Sequence, residues 1–367
     1  MIQEVNTFLE FQEIEHAWDD LYQRAMISNL FLTHTWLTLW IKHFGNGQTF
    51  ALLHVPDGAP KPEAGVVLKR YNKSIGFIEN DFSAYPDFLA TPQSIGAIQD
   101  LLTHVKGRHL PSKLVFAGVS ANSVLCKNSA SLAKDQWVPI FKYPSQMRSI
   151  LISGTFDSYF KLQGAKFRSE TRRKVHRAEK NFRVGLRTFS HGREKTELFE
   201  MVRLIEQDSW KARIGSDIIH NEKQLAFYGD VFERYAEQDK ARIYVLYFND
   251  QPVSFIFGIL LDRTYYALKT SYRLFYRDYS PGLVLFAKII QSLFEEKEVK
   301  RLEFLGSDAR WKEEFSNYQE DFCTLELYPM GLKSLSYNML YLYIRPLIKR
   351  LKIITLIRKL QRRSEHS

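Results

Sequence analysis

The sequence predicts an α+β fold with a mixed β-sheet, built from two similar halves and followed by a basic amphipathic tail. Predicted helices and strands occur twice in the same order, and the second series begins at about Met147. The length of 367 residues and the hydrophobic content of 45% suit two cores, because a domain usually holds ~100–200 residues. We therefore predict an N-terminal domain at residues 1–146, a C-terminal domain at 147–330 and a tail at 331–367.

The first half begins with a strand and two helices and continues with short strands. Alternating apolar residues predict the strands, and apolar residues at helical spacing predict the helices. The predicted strands are Ile2–Phe8, Thr49–Val55, Ala64–Tyr71, Ile75–Glu79, Lys113–Ala117 and Trp137–Phe141. The predicted helices are Phe11–Met26, Thr35–Phe44 and Ser94–Val105.

The second half repeats this order and contains a hairpin. Asn249 and Asp250 separate two apolar runs, and residues of this type favour the left-handed backbone of a tight hairpin turn. The predicted strands are Ser149–Ser153, Val184–Phe189, Arg242–Phe248, Val253–Leu261, Tyr265–Tyr272, Arg301–Leu305 and Cys323–Tyr328. The predicted helices are the basic helix Lys166–Lys180, then Glu194–Lys211, Glu222–Gln238, Leu283–Glu296 and Arg310–Phe315. Helices on both faces of such a sheet make an α+β sandwich.

The positive charge is concentrated in the tail. The whole chain carries +10, and the tail holds nine Lys or Arg and one acidic residue, so the rest of the chain carries only +2. We therefore do not expect the two halves to bind nucleic acid in general. The tail's apolar residues fall on one helical stripe, which consists of Ile344, Leu347, Ile348, Leu351 and Ile354. Such a helix lies on an anionic membrane surface, or it docks on its own protein or on a second copy.

Other features of the sequence exclude several classes. Cys126 and Cys323 are the only cysteines and have no CxxC spacing, which argues against a disulfide scaffold and a structural zinc site. The N-terminus lacks a signal-peptide pattern, and no apolar run approaches the ~20 residues of a spanning helix. P-loop, GxSxG, HExxH, EF-hand and Rossmann patterns are absent. We expect a cytoplasmic protein without a metal, peripheral at the inner face of the membrane if the tail binds lipid.

The stretch Arg277–Val284 lies between a predicted strand and a predicted helix. Ser280 is a good N-cap residue, and Pro281 suits the first helical position because it has no N–H. Gly282 leaves the first turn free of a side chain, so an anion can approach the exposed backbone N–H groups. Taken alone, Ser280-Pro281-Gly282 favours the alternative, which is a well-capped helix without a ligand.

In this position, Arg277-x-x-Ser280-Pro281-Gly282 resembles the coenzyme A pyrophosphate loop of GNAT acyltransferases. The family pattern is Arg/Gln-x-x-Gly-x-Gly/Ala, so Ser280 departs from it at the first glycine. The resemblance implies that Arg277, Ser280, Pro281, Gly282 and Leu283 bind acyl-coenzyme A, with acetyl-coenzyme A as the expected co-substrate.

Further motifs resemble the FemAB-like GNAT branch that is associated with cellulose and exopolysaccharide biosynthesis. These motifs are Glu206–Lys211, Lys166-Phe167-Arg168-x4-Arg173-x3-Arg177, Asp308-x2-Trp311-Lys312, Phe31-x4-Trp36-x3-Trp40 and Tyr85–Phe88. The resemblance covers roughly Trp18 to Phe315, and the family has Tyr-Lys where this chain has Trp311-Lys312. It implies a tandem GNAT-like fold and acyl transfer to an amino or hydroxyl group of a sugar or polysaccharide precursor.

The predicted basic helix supplies candidate substrate ligands. Arg168 and Arg172 share one stripe of it, and Arg173 and Arg177 share a neighbouring stripe. Repulsion between these like charges is relieved if an anion binds, such as a sugar-nucleotide phosphate, a polysaccharide carboxylate or a coenzyme A phosphate. The alternative is a solvated basic face. Trp210 either walls a sugar or acyl pocket or belongs to the core.

Asp308 and Lys312 are candidate catalytic residues at i,i+4 spacing. They can hold a substrate amine or hydroxyl, with the carboxylate as general base. The alternative is a helical ion pair that contributes about 0.2–0.5 kcal/mol. Glu206 is a rival catalytic carboxylate, and Asp208 and Glu303 are further candidates.

Three functions follow from these features. The first is the acyl-coenzyme A-dependent transfer to a sugar precursor. The second keeps the fold but takes the acyl group from aminoacyl-tRNA, as in the cell-wall peptidyltransferases that this branch resembles; the near-neutral charge of the two halves speaks against it. The third is a non-catalytic scaffold at the membrane, which the serine at position 280 leaves open.

Overall fold

A computed structural model gives the fold of the chain. It describes residues 1–78, 83–132, 136–209, 211–212, 215, 217–306 and 309–330. The predicted tail at 331–367 therefore lies outside the described residues. Within the described ranges, no helix is both long and apolar enough to cross a membrane.

The first half contains seven strands and six helices among the described residues. The strands are β1 (Ile2–Val5), β2 (Thr49–His54), β3 (Ala64–Tyr71), β4 (Ser74–Phe77), β5 (Leu89–Ala90), β6 (Lys113–Ser120) and β7 (Trp137–Leu151). The helices are α1 (Phe8–Glu13), α2 (Glu15–Arg24), α3 (His34–Phe44), α4 (Ile95–His109), α5 (Val124–Lys127) and α6 (Ser129–Leu132).

The second half follows the same plan. Its strands are β8 (Val184–Phe189), β9 (Ala241–Phe248), β10 (Gln251–Leu261), β11 (Thr264–Tyr272), β12 (Arg301–Glu303) and β13 (Tyr318–Pro329). Its described helices are α7 (Phe156–Leu162), α8 (Ala165–Asn181), α9 (Lys195–Gln207), α10 (Glu222–Ala236), α11 (Pro281–Glu296) and α12 (Arg310–Phe315). A 3₁₀ turn at Leu274–Tyr279 leads into α11.

The strands form one mixed sheet that runs through both halves. Its order is β1-β2-β3-β4-β6-β13-β7-β12-β11-β10-β9-β8, with β5 beside β3. Only the pairs β4–β6 and β11–β12 are parallel within this sheet. In each half, therefore, three antiparallel strands are followed by a helix and then by a strand parallel to the third one. This arrangement confirms the predicted α+β fold with a mixed sheet.

The last strand of each half pairs with the other half. β13, at the end of the second half, lies between β6 and β7, and β7 lies between β13 and β12. Two strands predicted separately, Trp137–Phe141 and Ser149–Ser153, are one strand, and that prediction was wrong. The reason is that β13 pairs with β7 from Trp137 to Ser149, which keeps the intervening residues extended. The predicted domain boundary at Met147 thus falls inside β7.

The hairpin between β9 and β10 has the predicted turn. Asn249 and Asp250 have φ angles of 50° and 66°, and Phe248 pairs with Gln251. These are the left-handed conformations that a two-residue turn of the common hairpin type requires.

Alternating residues of the central strand β10 pack on opposite faces of the sheet. Ile256 and Leu260 belong to the core that packs under α11. Phe257 and Ile259 belong to the core on the other face, beneath α9 and α10. That second core also receives side chains of the first half, so it joins the two halves: the Trp36 ring packs edge-on against Phe227 with centroids 5.4 Å apart.

Candidate functional site

The sheet opens between β11 and β12. These parallel strands pair only from Thr264 with Arg301 to Tyr266 with Glu303. β11 then runs on to Tyr272, while β12 ends at Glu303. The gap is a cavity of about 610 Å³, and its strand walls are residues 267–270 on one side and 304–306 on the other.

A bulge in β11 accompanies this opening, with Leu268 as the extra residue. The pairing of β10 with β11 shifts register between Phe257 and Gly258. The ring of Tyr265 lies directly over Gly258, where an added Cβ would be 2.3 Å from the tyrosine oxygen. Bulges bend a strand and increase its local twist. The bulge therefore lies next to the point at which β11 leaves β12.

A second cavity of about 220 Å³ continues the opening toward α11. The two cavities share four lining residues, which are Lys211, Thr270, Phe286 and Trp311. The second cavity is lined mainly by apolar side chains, and Gly282 and Leu283 at the start of α11 form part of its wall. One continuous cleft, called here the central cleft, thus runs from the first turn of α11 through the sheet.

Ser280 does not cap α11 with its side chain, contrary to the prediction. Its backbone is left-handed, with φ of 51° and ψ of 53°, and its hydroxyl makes no capping hydrogen bond. An N-cap side chain normally reaches the helix amides from an extended backbone, which this conformation does not provide. Pro281 is the first helical residue, as predicted. Because the first amides of a helix have no partner within it, those of Gly282 and Leu283 remain for a ligand.

Three lysines line the central cleft. Lys211, Lys269 and Lys312 all contribute to its larger cavity. Lys211 donates a hydrogen bond to the carbonyl oxygen of Thr270 at 2.5 Å, and Lys312, which is only 8% exposed, donates one to the carbonyl oxygen of Leu305. Burial lowers the pKa of Lys211 to about 8, and the positive charge of Lys269 acts in the same direction. The pKa of Lys211 therefore lies well below that of an ordinary lysine.

The predicted carboxylates have other surroundings. Glu206 is fully buried at the end of α9, where its Oε2 accepts a hydrogen bond from the Ile218 amide at 2.5 Å. Burial raises the pKa of Glu206, yet its side chain lines none of the described cavities. Asp208 accepts the amides of Leu274 and Phe275 through its carbonyl and carboxylate oxygens. It therefore anchors the 3₁₀ turn that precedes α11.

The basic helix lies beside the α11 turn, but the predicted arginines do not enter the cleft. Arg168 donates to the carbonyl oxygens of Lys161 and Gln163 and so fixes the connection from α7. Arg172 lies over the Phe160 ring at 5.4 Å, and Arg173 is exposed on the helix surface.

Two other arginines are close to the turn. Arg177 lies over the ring of Tyr279, the residue before Ser280, at 5.1 Å. Arg277 is exposed within the 3₁₀ turn, with its Nε 3.8 Å from Asp278. The structure thus brings Arg177, rather than Arg168 or Arg172, next to the predicted phosphate loop.

Two predicted site residues, Trp210 and Asp308, lie outside the described residues. Their predicted roles stay predictions. Conversely, sequence reasoning did not single out Lys211 or Lys269 as site residues. Lys211 ends the Glu206–Lys211 motif, which gave a weak signal, whereas Lys269 is one basic residue in a strand and gave none.

A third cavity, of about 380 Å³, lies between the two halves. Tyr85 of the first half donates a hydrogen bond to Glu303 of β12 at 2.6 Å, and Arg301 pairs with both Glu303 and Glu320. Burial raises the pKa of Glu303, which is 3% exposed. Hydroxyl and amide side chains make up much of the remaining wall; they include Ser28, Asn29, Ser120, Asn122, Ser123 and Thr264.

Comparisons with known proteins agree with this geometry. The family model described as an acetyltransferase (GNAT) domain matches residues 165–313. The chain has a GNAT-like fold. The match begins with the basic helix α8 and ends within α12, so it contains most of the residues that line the central cleft. The lining residues outside it are Phe31, Ser83, Ala84, Met147, Glu314 and Phe315. No curated protein matches the sequence significantly.

Several solved structures share the arrangement of both halves. The C-terminal domain of a protein described as a lysylphosphatidylglycerol synthetase from Agrobacterium fabrum is 12% identical, with a TM-score of 0.56 over 91% of this chain and 98% of that one. FemX is 10% identical, with a TM-score of 0.57 over 92% of this chain and 99% of that one. A protein of unknown function from Bacteroides thetaiotaomicron is 12% identical, with a TM-score of 0.58 over 90% and 100%. At sequence identities this low, the likeness shows a similar fold and nothing more.

Proposed function

We propose that the protein transfers an acyl group from acyl-coenzyme A, in the simplest case acetyl-coenzyme A, to an amino or hydroxyl group of a sugar or polysaccharide precursor. One observation carries this proposal: a continuous cleft joins Gly282 and Leu283, in the first turn of α11, to the three lysines between β11 and β12. The match to a GNAT acetyltransferase domain over the same residues supports it.

The cleft suits an elongated donor with an anionic end. The amides of Gly282 and Leu283, at the positive end of the helix dipole, would accept the diphosphate. The smaller cavity then offers apolar walls, including Phe167, Phe286 and Trp311, to the extended arm and the acyl chain. The thioester would thereby reach the lysines at the gap between the strands.

The chemistry there requires loss of a proton from the acceptor and stabilisation of charge on the carbonyl oxygen. Lys211, with its lowered pKa, is in part neutral near pH 8 and can take the proton of an acceptor amine. Lys312 provides a buried positive charge that can stabilise the developing oxyanion. Asp308 remains a proposed alternative base.

Calorimetry with acetyl-coenzyme A tests the donor site. An added Cβ at Gly282 meets only Tyr272, at 3.6 Å, so Gly282→Trp is expected to fold while its ring fills the smaller cavity. Binding by the natural protein and at least about tenfold weaker binding by the variant are expected, which corresponds to about 1.4 kcal/mol. Gly107→Trp is the matched control, since a Cβ there meets no atom within 4 Å and lies on α4. Absence of binding by the natural protein, or equal binding by all three proteins, rejects the donor.

A second donor, aminoacyl-tRNA, is favoured by the basic helix. Seven basic residues lie between Lys166 and Lys180 of α8, next to the turn that starts α11, and one structural relative is named for a product that carries an aminoacyl group. A tRNA gel shift that weakens steeply with salt would support this donor. Arg172→Glu with Arg173→Glu should abolish the shift, while Arg193→Glu, at an exposed position outside α8, should preserve it. A gel shift that changes neither with salt concentration nor in the doubly substituted variant contradicts the aminoacyl-tRNA donor.

The acceptor is proposed to enter through the polar cavity between the halves. Its hydroxyl, amide and carboxylate lining is typical of sites that bind hydroxyl-rich molecules. Transfer assays with nucleotide-linked amino sugars and labelled acetyl-coenzyme A test this class directly. Thiol release with an amino-sugar acceptor supports it, and thiol release only with acceptors that lack a sugar contradicts it.

The tail is proposed to hold the protein at an anionic membrane surface. This proposal comes from the sequence of residues 331–367, where basic and apolar residues occupy separate helical faces. Sedimentation with anionic liposomes, with and without these residues, tests it. Each nearby Lys or Arg contributes ~1 kcal/mol to such binding, so equal sedimentation of both proteins would refute membrane contact.

A further inference from the structure

The two cysteines of the chain lie against each other, although 197 residues separate them in sequence. The sulfur atoms of Cys126 and Cys323 are 3.8 Å apart. Both side chains are free thiols and both are half-buried. Because a disulfide requires an S–S distance of about 2.0 Å, a shift of less than about 2 Å would join them.

The surroundings allow such a shift. Cys126 lies on α5, a helix of only four residues that packs at the edge of the first-half core. Cys323 lies on β13 at an irregularity, where the pairing with both neighbouring strands shifts register after this residue. A helix of a single turn and an irregular strand position move with less cost than regular ladder residues do.

We propose that Cys126 and Cys323 are a thiol–disulfide modification site, oxidised by low-molecular-weight disulfides such as oxidised glutathione. Burial and the neighbouring Cys126 raise the pKa of Cys323, and the thiolate is the form of a cysteine that attacks a disulfide. One thiol of the pair loses its proton, attacks the oxidant and releases one small thiol; the other thiol then loses its proton, displaces the second small thiol and forms the bond. Two protein thiols lose two hydrogens, and one oxidant disulfide becomes two thiols.

The bond would fix one wall of the cavity between the halves. Ser123 and Lys127, on either side of Cys126, line that cavity, and so does Glu320 on β13. The bond would tie α5 to β13 and thereby hold this wall in one position. The inference does not depend on the proposed donor or acceptor, because it concerns the cysteine pair alone.

The test is oxidation of the full-length protein with oxidised glutathione, followed by intact mass measurement under denaturing conditions. The expected product has lost two hydrogens, migrates faster than the reduced chain on a non-reducing gel and returns to the reduced form with dithiothreitol. A rise in Tm of roughly 5 °C is expected, since the bond closes a very long loop. Cys126→Ser and Cys323→Ser are the matched controls, and neither should show the mass loss or the faster band.

Three outcomes would overturn the inference. They are stable glutathione adducts on the natural protein, covalent dimers in place of the faster band, and an unchanged mass after prolonged oxidation. Each would show that the two sulfurs do not reach each other in solution.

Discussion

Ser280 adopts a left-handed backbone at a position where the GNAT pattern has glycine. A left-handed conformation costs an L-residue with a Cβ about 1–2 kcal/mol, whereas glycine adopts it freely but gains entropy in the unfolded chain. We therefore predict that Ser280→Gly raises the free energy of unfolding by about 0.5–1 kcal/mol. Urea denaturation followed by circular dichroism measures this change.

A serine with an ordinary backbone provides the control for that substitution. Ser316 follows α12 with φ of −73° and ψ of 148°, so glycine offers no relief there and should lower stability by a few tenths to about 1 kcal/mol. Ser280→Val should also destabilise, because a β-branched residue tolerates the left-handed region poorly. Equal effects of glycine at positions 280 and 316 would contradict the backbone assignment.

Lys211 predicts a pH dependence of stability. Burial lowers its pKa from 10.5 in the unfolded reference to about 8 in the folded protein. Between these values the unfolded chain binds more protons, so the free energy of unfolding rises with pH from about 8 to about 10.5. The contribution is on the order of 3 kcal/mol, at about 1.4 kcal/mol per pKa unit.

The difference between the natural protein and Lys211→Met isolates this contribution, because other groups titrate in the same range. Lys288→Met is the control, since Lys288 pairs with Glu179 at 2.8 Å on the outer side of α11. Urea unfolding at several pH values should show that the rise of the free energy of unfolding with pH is smaller only in Lys211→Met. An identical slope in all three proteins would mean that Lys211 keeps an ordinary pKa.

At the scale of the element, the strand pairing at the β11 bulge depends on the absence of a side chain at Gly258 of β10. An alanine Cβ there would lie 2.3 Å from the ring of Tyr265, which is fully buried. We predict that Gly258→Ala lowers the free energy of unfolding by roughly 2–3 kcal/mol, because the ring has no space to move into. Chemical denaturation measures the loss.

Two further variants separate this steric cause from strand propensity. Gly185→Ala on β8 is matched, because its Cβ would lie at an ordinary 3.9 Å from Tyr247, and it should be neutral or stabilising. Combining Gly258→Ala with Tyr265→Leu should cost less than the sum of the two single changes, since each relieves the clash of the other. Simple additivity would exclude the contact as the cause.

The element types followed from sequence because the local signals were strong. Asn249 and Asp250 marked a turn that the fold keeps, and the apolar spacing of Pro281–Glu296 marked α11. The local sequence signals did not predict the structure where pairing with a distant strand determines it. Residues 142–148 have little strand pattern of their own, and β13 keeps them extended. Such an effect cannot be read from residues 142–148 alone.

One part of the candidate site gave a local sequence signal, and another part did not. The loop before α11 could be singled out because Ser-Pro-Gly is a local pattern, and Gly282 and Leu283 form part of the wall of a cavity; its binding role stays a prediction. The lysines of the cleft come from three distant parts of the chain, at positions 211, 269 and 312. Only the opening between β11 and β12 brings them together, and the length of a strand pairing is not encoded locally.

At the scale of the whole molecule, the exchange of terminal strands makes the two halves interdependent. A cut between Gln146 and Met147 would divide β7 and would leave β6 and β13 as exposed sheet edges, which favour aggregation. We predict that residues 1–146 and 147–330, produced separately, show no cooperative unfolding, whereas the intact chain unfolds in one transition by circular dichroism and tryptophan fluorescence. Moving the cut to follow Leu151 keeps β7 whole but still removes β13 from the first fragment, so the same failure is expected. A cooperative transition in either isolated half would show that the shared sheet joins two independently stable domains.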